Sequence, residues 1–302
     1  MFPLLKLKQG WEIPERQATR ESAGLTRRHL LAAALPSGQP GVSPSRRNPK
    51  FTLDRPITAE WAATSYNNFY EFHPTDKKLV KDRVGKFVTH PWKIEVGGLV
   101  NKPQTLDLDD LTRKFPLEER LYRFRCVEAW AMAVPWTGFP FSQLVKLADP
   151  KPEAKFVRFF SASRPDQMPG MKEAPWYPWP YFEALRLDEA MNPLTLLTTG
   201  LYGKPLPKQN GAPVRIIVPW KYGYKSPKSI VKIEFVAKQP KTFWNGIAPL
   251  EYGFYSNVNP KRPHPRWSQA TEQMIPTMER RPTLAYNGYA KWVASLYTGA
   301  EE

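Results

Sequence analysis

Cysteine is nearly absent from this chain, and its scarcity excludes several classes of protein. The 302 residues include a single cysteine, Cys126, which cannot form an internal disulfide. One thiol also excludes a cysteine-rich zinc or iron–sulfur site. The histidines, His29, His73, His90 and His264, are never three to five residues apart, so the usual zinc spacings are missing too. Glycine-rich phosphate loops of the GxGxxG or GxxxxGK type do not occur.

Long apolar runs are lacking as well, so the sequence predicts no transmembrane helix. Proline, in contrast, is frequent, with 33 residues spread along the chain, which favours loops and edge strands over a helical bundle. The formal net charge is +16, which suits an anionic ligand. Basic residues do not cluster in the body of the chain, and we expect no nucleic-acid partner.

The first fifty residues have the composition of a targeting segment. Arg27-Arg28 stands just before a short apolar stretch, Leu30–Leu35, which is similar to a twin-arginine export signal. Residues 36–56 are rich in Pro, Ser, Gly, Arg and Asn, as linkers are. We therefore expect a signal and linker over residues 1–50, a folded domain over residues 51–302, and a periplasmic location.

The patterning of the remaining chain predicts a single α+β domain in which strands dominate and helices are short. Strands are expected over residues 92–98, 120–127, 155–161, 214–218 and 229–236, and helices over 105–115 and 139–147. Residues 181–191 are interpreted as helical or turn-like, and the chain from residue 241 onward as irregular coil.

Cys126 follows two arginines, Arg123 and Arg125, in the segment RFRCVEAW. A lone cysteine is most often a small buried apolar residue. Nearby positive charge, however, lowers the pKa of a thiol and favours the thiolate, which binds metals or attacks electrophiles. Without a histidine cluster, a metal at Cys126 would need further sulfur ligands from a cofactor.

Two other segments carry polar groups that could bind a ligand. Asn210, Arg215 and Lys228 flank a strand and a basic loop, where they could converge on an anionic group; alternatively, they form a turn and a solvated loop. The aromatic and amide residues of Tyr66–Phe72 could hydrogen-bond a heteroaromatic ring, or could simply pack as a loop.

Five motifs in this order resemble one known family. They are YNNFYEF at Tyr66–Phe72, RCVEAW at Arg125–Trp130, NGAPVR at Asn210–Arg215, PWKYGYKSPKSI at Pro219–Ile230 and HPRWSQATE at His264–Glu272. The chain is similar, from about Tyr66 to Tyr297, to the sulfite-oxidase-type molybdenum enzymes, and among them to the periplasmic protein-methionine-sulfoxide reductases. The resemblance implies a strand-dominated molybdopterin-binding domain.

The resemblance also implies a cofactor and its contacts. Molybdenum would be held by the dithiolene sulfurs of one molybdopterin and by one protein cysteine, which here must be the catalytic residue Cys126. Family pterin contacts fall on Asn67, Tyr70, Glu71, Ser161, Asn210, Arg215, Ser226, Pro227 and Lys228. At position 161 the family usually has Thr, so Ser161 departs from the pattern.

The activity implied is reduction of methionine sulfoxide in oxidised periplasmic proteins, a form of protein repair. Electrons would come from a haem-containing membrane subunit, MsrQ, in a heterodimer. Two alternatives remain open. A sulfite oxidase-like enzyme usually carries a further dimerisation domain, for which few residues follow Ser229 here. A non-catalytic secreted binding module would use the Trp and Tyr residues to hold a glycan or peptide.

Overall fold

Two mixed β-sheets, with short helices at their edges, make up residues 45–298, the part of the chain that the computed structural model describes. The strands are β1 (Arg46–Arg47), β2 (Lys93–Gly98), β3 (Gln104–Asp107), β4 (Glu118–Arg125), β5 (Trp130–Pro140), β6 (Phe156–Ser161), β7 (Phe182–Arg186), β8 (Leu196–Leu201), β9 (Lys204–Pro205), β10 (Arg215–Ile217), β11 (Ile230–Val236), β12 (Thr271–Met274) and β13 (Arg280–Pro282).

The α-helices are all short, the longest having eight residues. They are α1 (Glu60–Ala63), α2 (Val80–Arg83), α3 (Leu108–Lys114), α4 (Phe141–Ala148), α5 (Pro169–Glu173), α6 (Leu187–Met191), α7 (Phe243–Ile247) and α8 (Ala290–Val293). The predicted α+β class, with dominant strands and short helices, is confirmed. In residues 45–298 no helix is long and apolar enough to cross a membrane. Arg27 and Arg28 lie outside the described residues.

The larger sheet has the order β1-β4-β5-β12-β13, and β8 joins it by pairing with β5, β9 and β10. The smaller sheet has the order β3-β2-β11-β6-β7. Within the segment interpreted as a linker, Arg46 and Arg47 pair in parallel with Glu118 and Glu119 of β4.

Five predicted strands are confirmed as β2, β4, β6, β10 and β11, with small shifts at their ends. The predicted helix over 105–115 is only partly correct, because residues 104–107 pair with β2 and the helix begins at Leu108. There, the side chain of Asp107 accepts the backbone N–H of Asp109 and caps the first turn. The interpretation of 181–191 as helical is wrong for residues 182–186, which pair antiparallel with β6.

Strand β5, which the sequence did not predict, is the centre of the larger sheet. It pairs with β4, β8 and β12, and all but its last residue are buried. A strand buried on both faces shows no alternation of apolar and polar residues. Strands β4 and β5 are joined by a tight turn at residues 126–129, where the one cysteine lies.

Candidate active site

The turn between β4 and β5 fixes the backbone of Cys126. Its N–H donates to the carbonyl of Trp130 at 2.9 Å, and its carbonyl accepts the N–H of Ala129 at 3.1 Å. Ala129 has φ of 68°, a left-handed conformation that lets the chain reverse within four residues. The Arg125 guanidinium also donates to the Cys126 carbonyl at 2.8 Å. The thiol is therefore presented by a rigid turn at the end of two paired strands.

Cys126 lines a cavity with an empty volume of about 1000 Å³, open solvent included. The cavity brings together most of the residues that the sequence analysis singled out, from four separate segments. Its walls include Asn67, Tyr70, Glu71, Cys126, Asn210, Arg215 and Lys228.

Two of these wall residues, the buried Arg215 and the half-buried Lys228, are cations. Within residues 45–298, no carboxylate lies within ion-pair distance of either, although the buried Glu71 is close enough to Lys228 to attract it. Arg215 instead donates to the backbone carbonyls of Asn210, at 2.8 Å, and Ser226, at 3.1 Å. Burial lowers the pKa of Arg215 to about 9, and burial together with the neighbouring Arg215 lowers the pKa of Lys228 to about 7. Such cations are stabilised by a bound anion.

Uncharged acceptors complete this end of the cavity. The side-chain oxygens of Asn67 and Asn210 are buried without a hydrogen-bond partner, while both side-chain nitrogens donate to the carbonyl of Ala63. Glu71 is buried, and burial raises its pKa to about 7 against the opposing effect of the neighbouring Lys228. These atoms can accept the N–H donors of a heteroaromatic ring, and their orphaned state indicates that a ligand completes the site.

Gly211 holds the turn of the NGAPVR segment against Lys228. Its φ is 101°, and a Cβ built on it would stand 2.8 Å from both Cβ and Cγ of Lys228. Glycine is the residue that permits both this backbone conformation and this close approach.

The structure does not bring Ser161, Ser226 or Pro227 to the cavity wall. The Ser226 hydroxyl accepts the N–H of Val218, and the Ser226 carbonyl accepts from Arg215. The Pro227 carbonyl accepts from Ile216, and the buried Ser161 hydroxyl has no hydrogen-bond partner. Ser226 therefore positions Arg215, and direct contact of these three residues with a pterin stays a prediction.

The expectation that two arginines favour the Cys126 thiolate is wrong for the thiol by itself. Burial, and then the Glu128 carboxylate, raise the pKa of Cys126 to about 12. The arginines act on the thiol only weakly: Arg125, besides its bond to the Cys126 carbonyl, donates to Gln269 and faces Glu272, while Arg123 pairs with Asp54.

A metal cation bound to the Cys126 sulfur would therefore keep the thiol deprotonated, as metals do for coordinating thiols. In residues 45–298, no group of three or more His, Cys, Asp and Glu side chains could hold that metal without further ligands.

The sequence analysis missed a polar network around the thiol. The Asn68 amide nitrogen lies 3.6 Å from the Cys126 sulfur and 3.2 Å from a Glu128 oxygen. Lys77 and Trp130 donate to the same Glu128 oxygen. Burial opposes ionisation of Glu128, but these bonds, Lys77 first, lower its pKa. Glu128 stands two residues after Cys126 in RCVEAW, and this short spacing is a sequence signal that could have indicated the polar network.

Aromatic rings form the rest of the cavity wall. Tyr66 packs edge-on against Trp130, with ring centroids 5.2 Å apart. Trp244 packs against Tyr70 at 5.0 Å and Tyr252 at 5.3 Å. Trp244 and Tyr252 come from the chain after residue 241, and the interpretation of that segment as irregular coil is wrong at α7, β12, β13 and α8. The segment supplies part of the cavity wall.

The model of the oxidoreductase molybdopterin-binding domain family matches residues 82–244. The chain therefore belongs to the molybdopterin-binding oxidoreductases.

Two relatives identify a more specific family within the molybdopterin-binding oxidoreductases. A protein-methionine-sulfoxide reductase catalytic subunit MsrP from Burkholderia mallei is 54% identical over 90% of this chain and 83% of its own length. A protein of the same name from Ralstonia nicotianae is 49% identical over 97% of this chain and 96% of its own length. The chain is a member of the MsrP family. Among solved structures, the sulfane dehydrogenase SoxCD from Paracoccus pantotrophus matches distantly, with a TM-score of 0.42 and 18% identity over 63% of this chain and 44% of that chain.

Proposed function

We propose that the protein is a periplasmic molybdenum–molybdopterin enzyme that reduces methionine sulfoxide residues in proteins to methionine. The names of its relatives support this reaction. The observation that carries the proposal is the placement of the Cys126 thiol in one cavity with two cations, the buried Arg215 and the half-buried Lys228, neither of which has a carboxylate at ion-pair distance in the described chain. A phosphate-bearing metal cofactor requires a soft ligand for its metal and an anion site for its phosphate.

The residues present fit molybdopterin. Arg215 and Lys228 would hold its phosphate, and the unpartnered oxygens of Asn67 and Asn210 would accept from the N–H groups of the pterin ring. Cys126 would supply the protein's thiolate to molybdenum. When bound, the cofactor supplies two-electron redox chemistry, by which a sulfoxide and two protons become a thioether and water.

The protein's own residues hold the cofactor ligand and orient the substrate. Asn68 and the backbone N–H of Glu128, at 3.6 and 3.4 Å, point hydrogen-bond donors at the Cys126 sulfur and fix its orientation. The rings of Tyr66, Trp130 and the other wall aromatics give an apolar lining that excludes water and suits a methionine side chain.

The proposal also includes a partner subunit that donates electrons and export of the protein to the periplasm. The relatives are named catalytic subunits, which supports a second subunit; we propose the haem-containing membrane protein MsrQ as the electron donor. The Arg27-Arg28 pair supports export by the twin-arginine route.

The test uses the purified holoenzyme, a reduced viologen dye as electron donor, and a protein whose methionines have been oxidised. We expect dye oxidation matched by conversion of methionine sulfoxide to methionine, measured by mass spectrometry. Sulfite with an electron acceptor is the second arm. Turnover of sulfite without turnover of the oxidised protein would favour the sulfite oxidase-like alternative, and a protein without molybdenum would favour a binding module.

A further inference from the structure

A second cavity, with an empty volume of about 700 Å³, lies beside the first. The two cavities share Val127 and Tyr224 in their walls. Since Val127 follows Cys126 directly, the second cavity begins one residue away from the proposed metal ligand. A peptide whose methionine sulfoxide side chain reaches Cys126 can therefore place the residues on either side of it at the second cavity.

The shared wall is held rigidly. The Val127 carbonyl accepts two hydrogen bonds, from the indole nitrogen of Trp267 and the amide nitrogen of Gln269, each at 2.7 Å. Trp267 in turn stacks on His264, with ring centroids 3.7 Å apart. The second cavity is thus a preformed feature, as ligand sites usually are.

Asn257 gives this cavity an unsatisfied donor. Its side-chain oxygen accepts from the Lys221 ammonium at 2.9 Å, whereas its side-chain nitrogen is buried without a hydrogen-bond partner. The residue is 6% exposed and lines the cavity. A buried N–H donor of this kind needs an acceptor, and a peptide carbonyl is one that every protein substrate carries.

The rim of the cavity is apolar. Leu250 is 91% exposed and stands with Pro249 at the edge of the second cavity. Both follow α7, whose Trp244 lines the first cavity, so one segment borders both spaces. The Glu251 carboxylate here is already bonded to Arg266 at 2.7 Å, while Arg262 adds a cation to the cavity wall.

We infer that the second cavity binds the peptide segment next to the methionine sulfoxide, through its backbone carbonyls and apolar side chains. This inference rests on the proposed function and makes the substrate class more specific: an extended, accessible segment of an oxidised protein. The grounds are the shared wall at Val127, the free donor of Asn257 and the exposed Leu250.

The test compares two substrates of the holoenzyme, with reduced viologen as electron donor. One is N-acetylmethionine sulfoxide; the other is a nonapeptide with a central methionine sulfoxide flanked by leucine and valine. For wild type we expect a higher kcat/KM with the peptide. Leu250→Asp should lower kcat/KM for the peptide about tenfold, since a charge replaces an apolar contact. Asn257→Ala should lower it roughly two- to tenfold.

Neither variant should change kcat/KM for N-acetylmethionine sulfoxide, which does not reach the second cavity. Leu79→Asp is the matched control, because Leu79 is an exposed leucine that lines neither cavity. Thermal midpoints and pterin content would show that the variants are folded and loaded. Equal kcat/KM for the two substrates in wild type, or an unchanged ratio in Leu250→Asp, would overturn the inference. A wild-type enzyme that reduces neither substrate would instead overturn the proposed function.

Discussion

Replacing Lys228 by methionine should have opposite effects on the apo-protein and on the holoenzyme. In the apo-protein, Lys228 is a half-buried cation that Glu71 attracts from beyond ion-pair distance, and no carboxylate of the described chain pairs with it directly. Its pKa is lowered from 10.5 to about 7, chiefly by burial. A phosphate site requires a cation whose burial destabilises the empty protein. The phosphate offsets that free-energy cost when it binds.

The direction of the effect follows from the lowered pKa, which means that the charged form of Lys228 is disfavoured in the folded protein. Because Lys228 is only half-buried and the neighbouring Glu71 offsets part of this cost, we expect Lys228→Met to raise the free energy of unfolding of the apo-protein by about 1–2 kcal/mol. Because the folded pKa lies below the unfolded one, the penalty is full below pH 7 and fades as pH rises toward 10. The advantage of the variant should therefore shrink over that range.

The assay is urea unfolding at pH 7 and pH 9.5, on apo-protein from a host that cannot make molybdopterin. Lys225→Met is the matched control: Lys225 lies in the same loop but is bonded to Glu183 at 2.6 Å and to the Ala184 carbonyl at 2.7 Å. Its removal leaves a buried carboxylate unpaired and should destabilise the protein by about 3–5 kcal/mol.

In the holoenzyme, loss of Lys228 should weaken pterin retention about ten- to a hundredfold, since a charge-assisted hydrogen bond contributes about 1.5–3 kcal/mol. Lys228→Met apo-protein that is less stable than wild type at pH 7, or holoenzyme that keeps its full pterin, would refute the anion site.

Three further predictions concern the thiol, the turn and the signal. Cys126→Ser should abolish sulfoxide reduction while the circular dichroism spectrum stays native; full turnover would remove Cys126 from the chemistry. Gly211→Ala should lower pterin content, because φ of 101° and the 2.8 Å approach to Lys228 leave no room for a Cβ; unchanged content would mean that the loop relaxes. Replacing Arg27 and Arg28 by Lys should leave the protein in the cytoplasm on cell fractionation; normal periplasmic appearance would make the pair incidental.

Asn67, Cys126, Asn210 and Lys228, which lie in four short sequence motifs, line one cavity, so the motifs predicted which segments come together. Their contacts with a cofactor stay a prediction. Strand β5 was missed because it is buried between β4, β8 and β12, so its pattern carries no alternation.

Properties that depend on distant partners could not be predicted. Arg125 precedes Cys126, yet its guanidinium is drawn to Glu272 and Gln269, far along the chain. Glu128 depends likewise on Lys77. Charges next to each other in sequence therefore indicated the wrong ionisation for the thiol, since burial and long-range pairing determine its pKa.

The most direct test of the central claim is the cofactor content of the protein purified from a host that makes molybdopterin. Molybdenum would be measured by plasma mass spectrometry, and pterin by fluorescence after oxidative release. The account predicts one molybdenum and one pterin per chain, both lost together in the double variant Arg215→Ala, Lys228→Ala. Folded wild-type protein that carries neither would contradict it.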